Sequence, residues 1–480
     1  MPSLLERLLH FSPARPTPIR ILVLCATGLI ALPLPAQTHQ HPAMPAQPQP
    51  AGSTPASGSG MQMPDGSSTP AGGHTGMNMP MNSGMSMPMG QSMDMAFGPI
   101  PDSQNASGTA WQPADTPMHA HHSMLGDWQV MTHYNAFLGY DNQSGPRGDE
   151  QLNSINWLML MATKRTADNE LTLRGMFSFE PATTTPKGYP LLFQSGEAYH
   201  GHALVDRQHP HDLFMEVAAR YRRLLDPDTV LTFYVAPSGE PALGPPAFPH
   251  RMSAADNPAA PISHHWLDSS HISFGVVTAG VAQKTWQVEG SWFNGREPDE
   301  DRWDIEHPHL DSYSGRFTWN PTAAWSAQVS HGYMKSPEEL HPTEHVRRTT
   351  ASVMHVAKLS GKNHLATTAG WGRNDSGDHT DDALLLETNY MMERMSVFVR
   401  AESVEKTGEE LDLLPRDRVI RVKQLSLGAT HELLPKRPYQ LALGAALTWT
   451  FQPNDLDRVY GRNPVGCWVF LRLRPAAMQH

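Results

Sequence analysis

From about residue 127 the chain repeats one unit: two short segments in which apolar and polar residues alternate, a tight turn between them, then a longer connector. A side-chain period of two belongs to a strand with two unlike faces, and a tight turn between neighbours belongs to an antiparallel hairpin. Tight turns fall at Thr166–Asn169, Asp226–Asp228, Lys284, Pro321–Ala324, Gly361–Lys362 and Glu393–Arg394, with long, charged or His-rich connectors between them. Short turns at one end and long loops at the other are the asymmetry of an outer-membrane barrel. The expected fold is all-β, an antiparallel transmembrane β-barrel of about 16 strands over residues 126–480.

Strands are expected near 127–141, 154–165, 170–180, 213–224, 229–238, 271–283, 285–295 and 312–320. They continue near 325–335, 348–360, 363–374, 382–392, 395–406, 419–433, 438–452 and 467–475. In Leu171–Glu180 the residues Leu171, Leu173, Phe177 and Phe179 share one face, against Thr172, Arg174, Ser178 and Glu180. Trp286, Val288 and Trp292 oppose Gln287, Glu289 and Ser291, and Leu441 to Phe451 carries a third apolar row. Val469, Leu471 and Leu473 oppose Arg472 and Arg474. Arginine in a polar lumen is tolerable, whereas at the lipid midplane it costs about 2–4 kcal/mol.

Two segments strain the pattern. Leu213–Leu225 also reads as an amphipathic helix, with Leu213, Val217, Tyr221 and Leu224 at helical spacing; it is taken as a strand because the strand count then stays even. Residues 419–433 change phase near Gln424, which suggests a bulge. The chain also ends on Pro475 to His480, without the terminal aromatic common in such barrels. A soluble sandwich or propeller is the competing fold, but it calls for neither the two-sided connectors nor outward aromatic rows.

Arg7, Arg15 and Arg20 precede the apolar run Ile21–Leu34, and Pro35-Ala36-Gln37 offers a small-residue exit, so residues 1–36 read as a secretory signal peptide. Pro33 and Pro35 cut the run short of the roughly 20 apolar residues an anchor needs. Leu24 before Cys25 argues against a lipoprotein site, and Cys467 is the other cysteine, so the mature chain has no internal disulfide. The expected location is the outer membrane, among its lipids. A net charge of −11 excludes a nucleic-acid partner that would need a basic face.

Residues 37–125 are Pro/Gly/Met/His-rich and poor in branched aliphatics, the composition of a disordered periplasmic tail. Its methionines come in pairs and triplets one residue apart: Met61 and Met63; Met77, Met79 and Met81; Met85, Met87 and Met89; Met93 and Met95. In an extended chain these project together, and thioethers select Cu(I) or Ag(I) over harder cations. The same residues also suit a flexible spacer or an oxidation sink. His39, His41, His74, His119, His121 and His122 add possible Cu(II) ligands.

The connector 181–212 carries two further pairs, His200 with His202 and His209 with His211, beside Glu197, Asp206 and Asp212. Imidazole with carboxylate suits Cu(II), Zn(II) or Ni(II). His250, His264, His265, His271, His307 and His309 occupy the next two connectors on the same side, and hydrated loop histidines are the plain alternative. Arg296–Asp311 sets seven carboxylates against two arginines, either a solvated loop or a cation-attracting mouth. No Gly-x-Ser-x-Gly, phosphate-binding glycine loop or His-Glu-x-x-His is present.

The leader, the Met clusters at 61–95 and the barrel pattern together resemble the copper-resistance outer-membrane protein family designated B. That resemblance implies copper sequestration or export, with metal ions and periplasmic copper proteins as partners. Two other readings stand beside it: a general porin or small-solute channel with an incidental tail, and a metal-dependent enzyme built on the His-rich loops.

Overall fold

The computed structural model describes residues 96–478; the leader and the methionine clusters of 61–95 lie outside the described residues. Sixteen strands pair antiparallel, each with the next in sequence, into a closed barrel. The first eight are β1 (Trp128–Gln143), β2 (Glu150–Arg165), β3 (Asn169–Phe177), β4 (Phe214–Asp226), β5 (Thr229–Gly239), β6 (Ser273–Gln283), β7 (Trp286–Phe293) and β8 (Ser312–Thr322). The rest are β9 (Trp325–Lys335), β10 (His345–Lys358), β11 (His364–Asp375), β12 (Thr380–Met391), β13 (Met395–Thr407), β14 (Val419–Glu432), β15 (Tyr439–Phe451) and β16 (Val465–Pro475). All sixteen expected strands are present, with ends displaced by a few residues.

β16 closes on β1, Gly466–Leu473 against Ala136–Gln143. The rest of that edge of β1 is taken by a six-residue strand, Ala120–Leu125, paired with Trp128–His133. The two strands thus lie end to end, and the Met478 amide donates to the Met118 carbonyl at 2.9 Å. Closure of β16 on β1 joins the last strand to the first, as a barrel in lipid requires.

The outer surface carries the signature of a bilayer. On β7, β8 and β9, Trp286 pairs with Trp319 near the short-turn end, and Trp292, Tyr313 and Tyr333 align near the other. Val288, Phe317 and Val329 lie between these aromatic groups and face outward. Six residues of strand separate the two rows, about 20 Å along the strand, and such paired aromatic girdles flank the apolar band of outer-membrane barrels. The protein is a transmembrane β-barrel of the outer-membrane type, with its short turns on the periplasmic side.

The helix-like spacing of Leu213–Leu225 resolves as strand β4. Register shifts between Phe214 and Glu216 and between Val217 and Ala219 account for its irregular pattern. The bulge expected near Gln424 is absent: β14 pairs without a register shift on both sides and alternates throughout. What changes there is the polarity of the faces. Ile420 and Val422 point inward against loop residues Phe193 and Leu411, and Arg421 points outward to pair with Glu405.

The lumen is filled. Residues 96–125, expected to continue the unstructured tail, are ordered; Ala96 to His119 enters from the short-turn end and packs inside the wall. Phe97, Ile100 and Trp111 pack on Val230 and Ala282. Arg174 donates to the Gly108 carbonyl at 2.7 Å and Gln287 to the Thr109 carbonyl at 2.9 Å. Gly108 is held at φ +51, and a Cβ there would meet the Glu240 Cβ at 2.8 Å.

The connector 240–272 crosses the lumen from the other side. Ala242 and Gly244 donate to Ser291 on β7 and Ser330 on β9, each at 2.8 Å. Farther along, Arg251 reaches Glu387 on β12 at 2.7 Å, Arg400 on β13 reaches the Ala259 carbonyl, and Asn135 on β1 reaches the Ala255 carbonyl. Asp256 pairs with Arg472 and Arg474 on β16. Gly372 on β11 makes room for this connector, since a Cβ there would stand 2.3 Å from the Trp266 carbonyl. Buried charges at these contacts are compensated, as in Glu289 with Arg316 and Glu387 with Arg400.

Candidate metal centre

The connectors 178–213 and 240–272 bring five histidines together inside the long-loop end. Residues 207–208 pair with Tyr189–Pro190, and the chain then turns His209 and His211 into the lumen. From the second connector, the one-turn helix His264–Leu267 and the turn Ser269–His271 supply His264, His265 and His271. Ring centres lie 6.5 Å apart for His209 and His265, 5.4 Å for His211 and His271, and 5.1 Å for His264 and His271. All five are buried.

Hydrogen bonds orient these rings. The Nδ1 of His211 meets Glu180 at 3.0 Å, that of His264 meets Asp268 at 2.7 Å, and that of His271 meets the Asp268 carbonyl at 2.8 Å. A carbonyl only accepts, so His271 carries its proton on Nδ1 and has a bare Nε2. The Nε2 atoms of His211, His265 and His271 are buried without a partner. A ring fixed through one nitrogen with the other free is the arrangement of a metal-ligating histidine.

Ligand atoms of Glu197, His209 and His265 come within 4.8 Å of one another. Glu197 holds His209 Nε2 at 2.9 Å and Arg302 at 3.2 Å, and Arg302 also pairs with Asp212. Burial pushes His265 down to about 3 and His264 down to about 4. Burial also works against His209, but Glu197 outweighs it and raises that imidazole. The donor set is imidazole with carboxylate, which fits Zn(II) or Cu(II).

Above the histidines, a cavity of about 370 Å³ opens among the loops, lined by Glu197, Glu338, Glu339, Glu409, Glu410 and Asp412. Burial and the neighbouring Glu410 and Glu297 carboxylates push Glu338 well above the usual carboxylate range. A cation entering here would relieve that repulsion.

Of the four loop histidines expected to form one site, His209 and His211 lie in the buried cluster and His200 and His202 do not. His200 and His202 flank the tip of a small hairpin in which Tyr199 pairs with His202. Both are exposed, and His200 pairs with Glu300 at 3.1 Å. His200-Gly201 adopts positive φ, +52 and +74, which forms the hairpin tip, and His202 lines the rim of the acidic cavity. His307 and His309 are exposed as well, and His250 lies elsewhere in the lumen. Glu180 and Asp268, which orient the rings, were not singled out in the sequence; the methionines of 61–95 fall outside the described residues.

No family model and no curated relative matches the chain. Among solved structures it is similar to the Salmonella typhi OmpF complex with daunomycin, at 7% identity and a TM-score of 0.48, covering 74% of this chain and 100% of that one. It is similar also to an anion-selective porin from Comamonas acidovorans, at 9% identity and 0.44, covering 72% and 99%. Pseudomonas aeruginosa OpdQ follows at 7% and 0.38, covering 72% and 97%. The likeness is one of fold outline. What the barrel carries has to be read from its own residues.

Proposed function

We propose that this barrel handles transition-metal cations at the outer membrane, with copper as the metal its ligands fit best. One observation carries the reading: Glu197 and His209 of one connector and His265 of a remote one place their ligand atoms within 4.8 Å of one another beneath an acidic vestibule. In this reading the vestibule concentrates cations, the Glu197, His209 and His265 group binds Cu(II) or Zn(II), and the clusters at 61–95 capture Cu(I) on the periplasmic side. Sequestration and export are both open to such a protein.

The test is metal titration of the full mature chain in detergent, with and without the paired substitutions His209→Ala and His265→Ala. One class of Cu(II) or Zn(II) sites should disappear from the variant. Identical binding by both proteins would reject the centre.

A small-solute channel is the second reading, favoured by the closed sixteen-strand wall. The connector 240–272 and residues 96–119 cross that lumen, so free diffusion of sugars requires one of them to move. Liposome swelling by the unmodified protein separates the two: rapid sugar entry supports the channel, and its absence supports the metal reading.

A further inference from the structure

The lumen holds a second ligand cluster at the opposite, short-turn end, built from thioethers. Four adjacent strands present it in register. Met131 on β1 lies opposite Met161 on β2, and His133 lies opposite Met159. Met159 in turn lies opposite Met176 on β3, and His122 of the strand Ala120–Leu125 lies opposite Met131. Facing residues on neighbouring strands have Cβ atoms about 4.5–5.5 Å apart, so the rows form a grid of sulfur and imidazole donors on the inner wall.

Two further segments close over the grid. The connector 240–272 contributes His250 and Met252, and the N-terminal segment contributes Met118 and His119; together they enclose a cavity of about 110 Å³. His250 Nε2 lies 3.2 Å from the Met176 sulfur, and the His133 and His250 rings are 6.2 Å apart. His119 is buried, with Nδ1 placed 3.1 Å from the Pro475 carbonyl and Nε2 without a partner; His122 Nε2 is likewise buried and unpartnered.

Charge selects among cations. Arginines in the cavity wall are already engaged: Arg165 with Asp102 and Glu170, Arg174 with Glu216, Arg220 with Glu170. The remaining donors are neutral, sulfur-rich and beyond the reach of free carboxylates. Ca(II) and Mg(II) take oxygen ligands and Zn(II) takes imidazole, thiolate or carboxylate, whereas a set in which thioethers outnumber these suits a soft monovalent ion.

We propose that the Met/His cavity between β1, β2, β3 and the connector 240–272 is an internal binding site for a soft monovalent cation, Cu(I), for which Ag(I) is a faithful probe. It deepens the metal-handling reading by adding a second site with its own selectivity, and it shares no ligand with the histidine centre.

The experiment is thermal unfolding of the full mature protein in detergent with Ag(I), for wild type and for the triple variant M131L/M159L/M161L. A ligand that binds only the folded state raises Tm. The clusters at 61–95 are the same in both proteins, so their silver does not enter the difference. Ag(I) should raise the wild-type Tm and leave the triple variant unchanged, and the variant should bind fewer silver equivalents. Met→Leu conserves volume, and heat-modifiable gel migration confirms folding. If the triple variant does not fold, H250Q/M252L is the substitute and should lose most of the Tm gain. No silver-induced rise in wild type, or a rise that survives both variants, overturns the site. Zn(II) with H209A/H265A reports on the other centre: loss of the zinc effect alone leaves this proposal standing, and loss of the silver effect in that variant overturns it.

Discussion

At the long-loop end of the lumen, five imidazoles sit among carboxylates, under a vestibule rich in glutamate. At the short-turn end, imidazoles sit among thioethers, and the nearby carboxylates are tied to arginines. The wall is the same at both ends, alternating strands with a polar inner face. What differs is which segments fold inward and what they bring. On the reading proposed above, borderline cations would be matched by charge at one end and soft ones by polarisability at the other. Ligand chemistry in this barrel is set by position along its axis.

The strongest way to break the comparison is Arg251→Met. Arg251 is fully buried and pairs with both Glu387 and Asp268, so its loss leaves Glu387 to Arg400 alone and Asp268 to His264 alone. A buried pair broken from one side costs about 3–5 kcal/mol. The wall should stay paired while the connector 240–272 releases, and both the silver and the zinc effects should vanish together. Protease cleavage within that connector is the readout; an uncut connector would show that its docking rests on other contacts.

Glu197→Gln has a narrower reach. It removes the anionic member of the histidine centre, leaves the Met/His cavity intact, and should weaken zinc binding while the silver effect persists. Isothermal titration with each ion checks this. Equal losses for both metals would mean that Glu197 serves both sites.

The packing of residues 96–119 should depend on pH through Glu240. Burial pushes Glu240 up to about 8, against the opposing pull of Arg316 and Ser107. A carboxyl neutral in the fold but ionised once released, above its ordinary 4.5, adds docking stability that is full at low pH. It is lost progressively as pH rises from 4.5 through 8. Hydrogen exchange of residues 96–119 should therefore be faster at about pH 9 than at about pH 5 after correction for intrinsic rates, and Glu240→Gln should flatten the difference. A profile unaffected by that substitution would remove Glu240 from the account.

The smallest effect is expected from His200→Ala with His202→Ala. Both rings are exposed at a hairpin tip, so stability should change by no more than about 0.5 kcal/mol, and neither metal effect should move. A clear loss of zinc binding would bring that hairpin back into the centre.

The wall was legible because lipid outside and polar groups inside force a two-residue period wherever the chain crosses. The period misled at β14, where Ile420 and Val422 face inward: at the mouth the lumen is packed with loop side chains, so apolar no longer means outward. The histidine pairs could not be ranked by spacing. His200-Gly201-His202 and His209-Pro210-His211 look alike, yet glycine at 201 permits a turn that carries the first pair into solvent. Convergence of His264, His265 and His271 on the second pair depends on two connectors meeting, which no local pattern encodes. The thioether cavity was missed for another reason. Met131, Met159 and Met161 lie within strand segments and are not singled out in the sequence, although Met131-x-His133 and Met159-x-Met161 fall on inward positions of facing strands, which is the signal that could have found them.

The connector 240–272 carries His250 and Met252 at one end of the lumen and His264, His265 and His271 at the other. A ligand that binds only while this connector is docked adds to the work of undocking it. Under conditions that leave part of the population undocked, such as near Tm, a second such ligand meets more docked connector and binds more tightly. Thermodynamic reciprocity makes the gain equal in both directions. Silver at the periplasmic end and zinc at the outer end should therefore be cooperative, without any contact between the two ions.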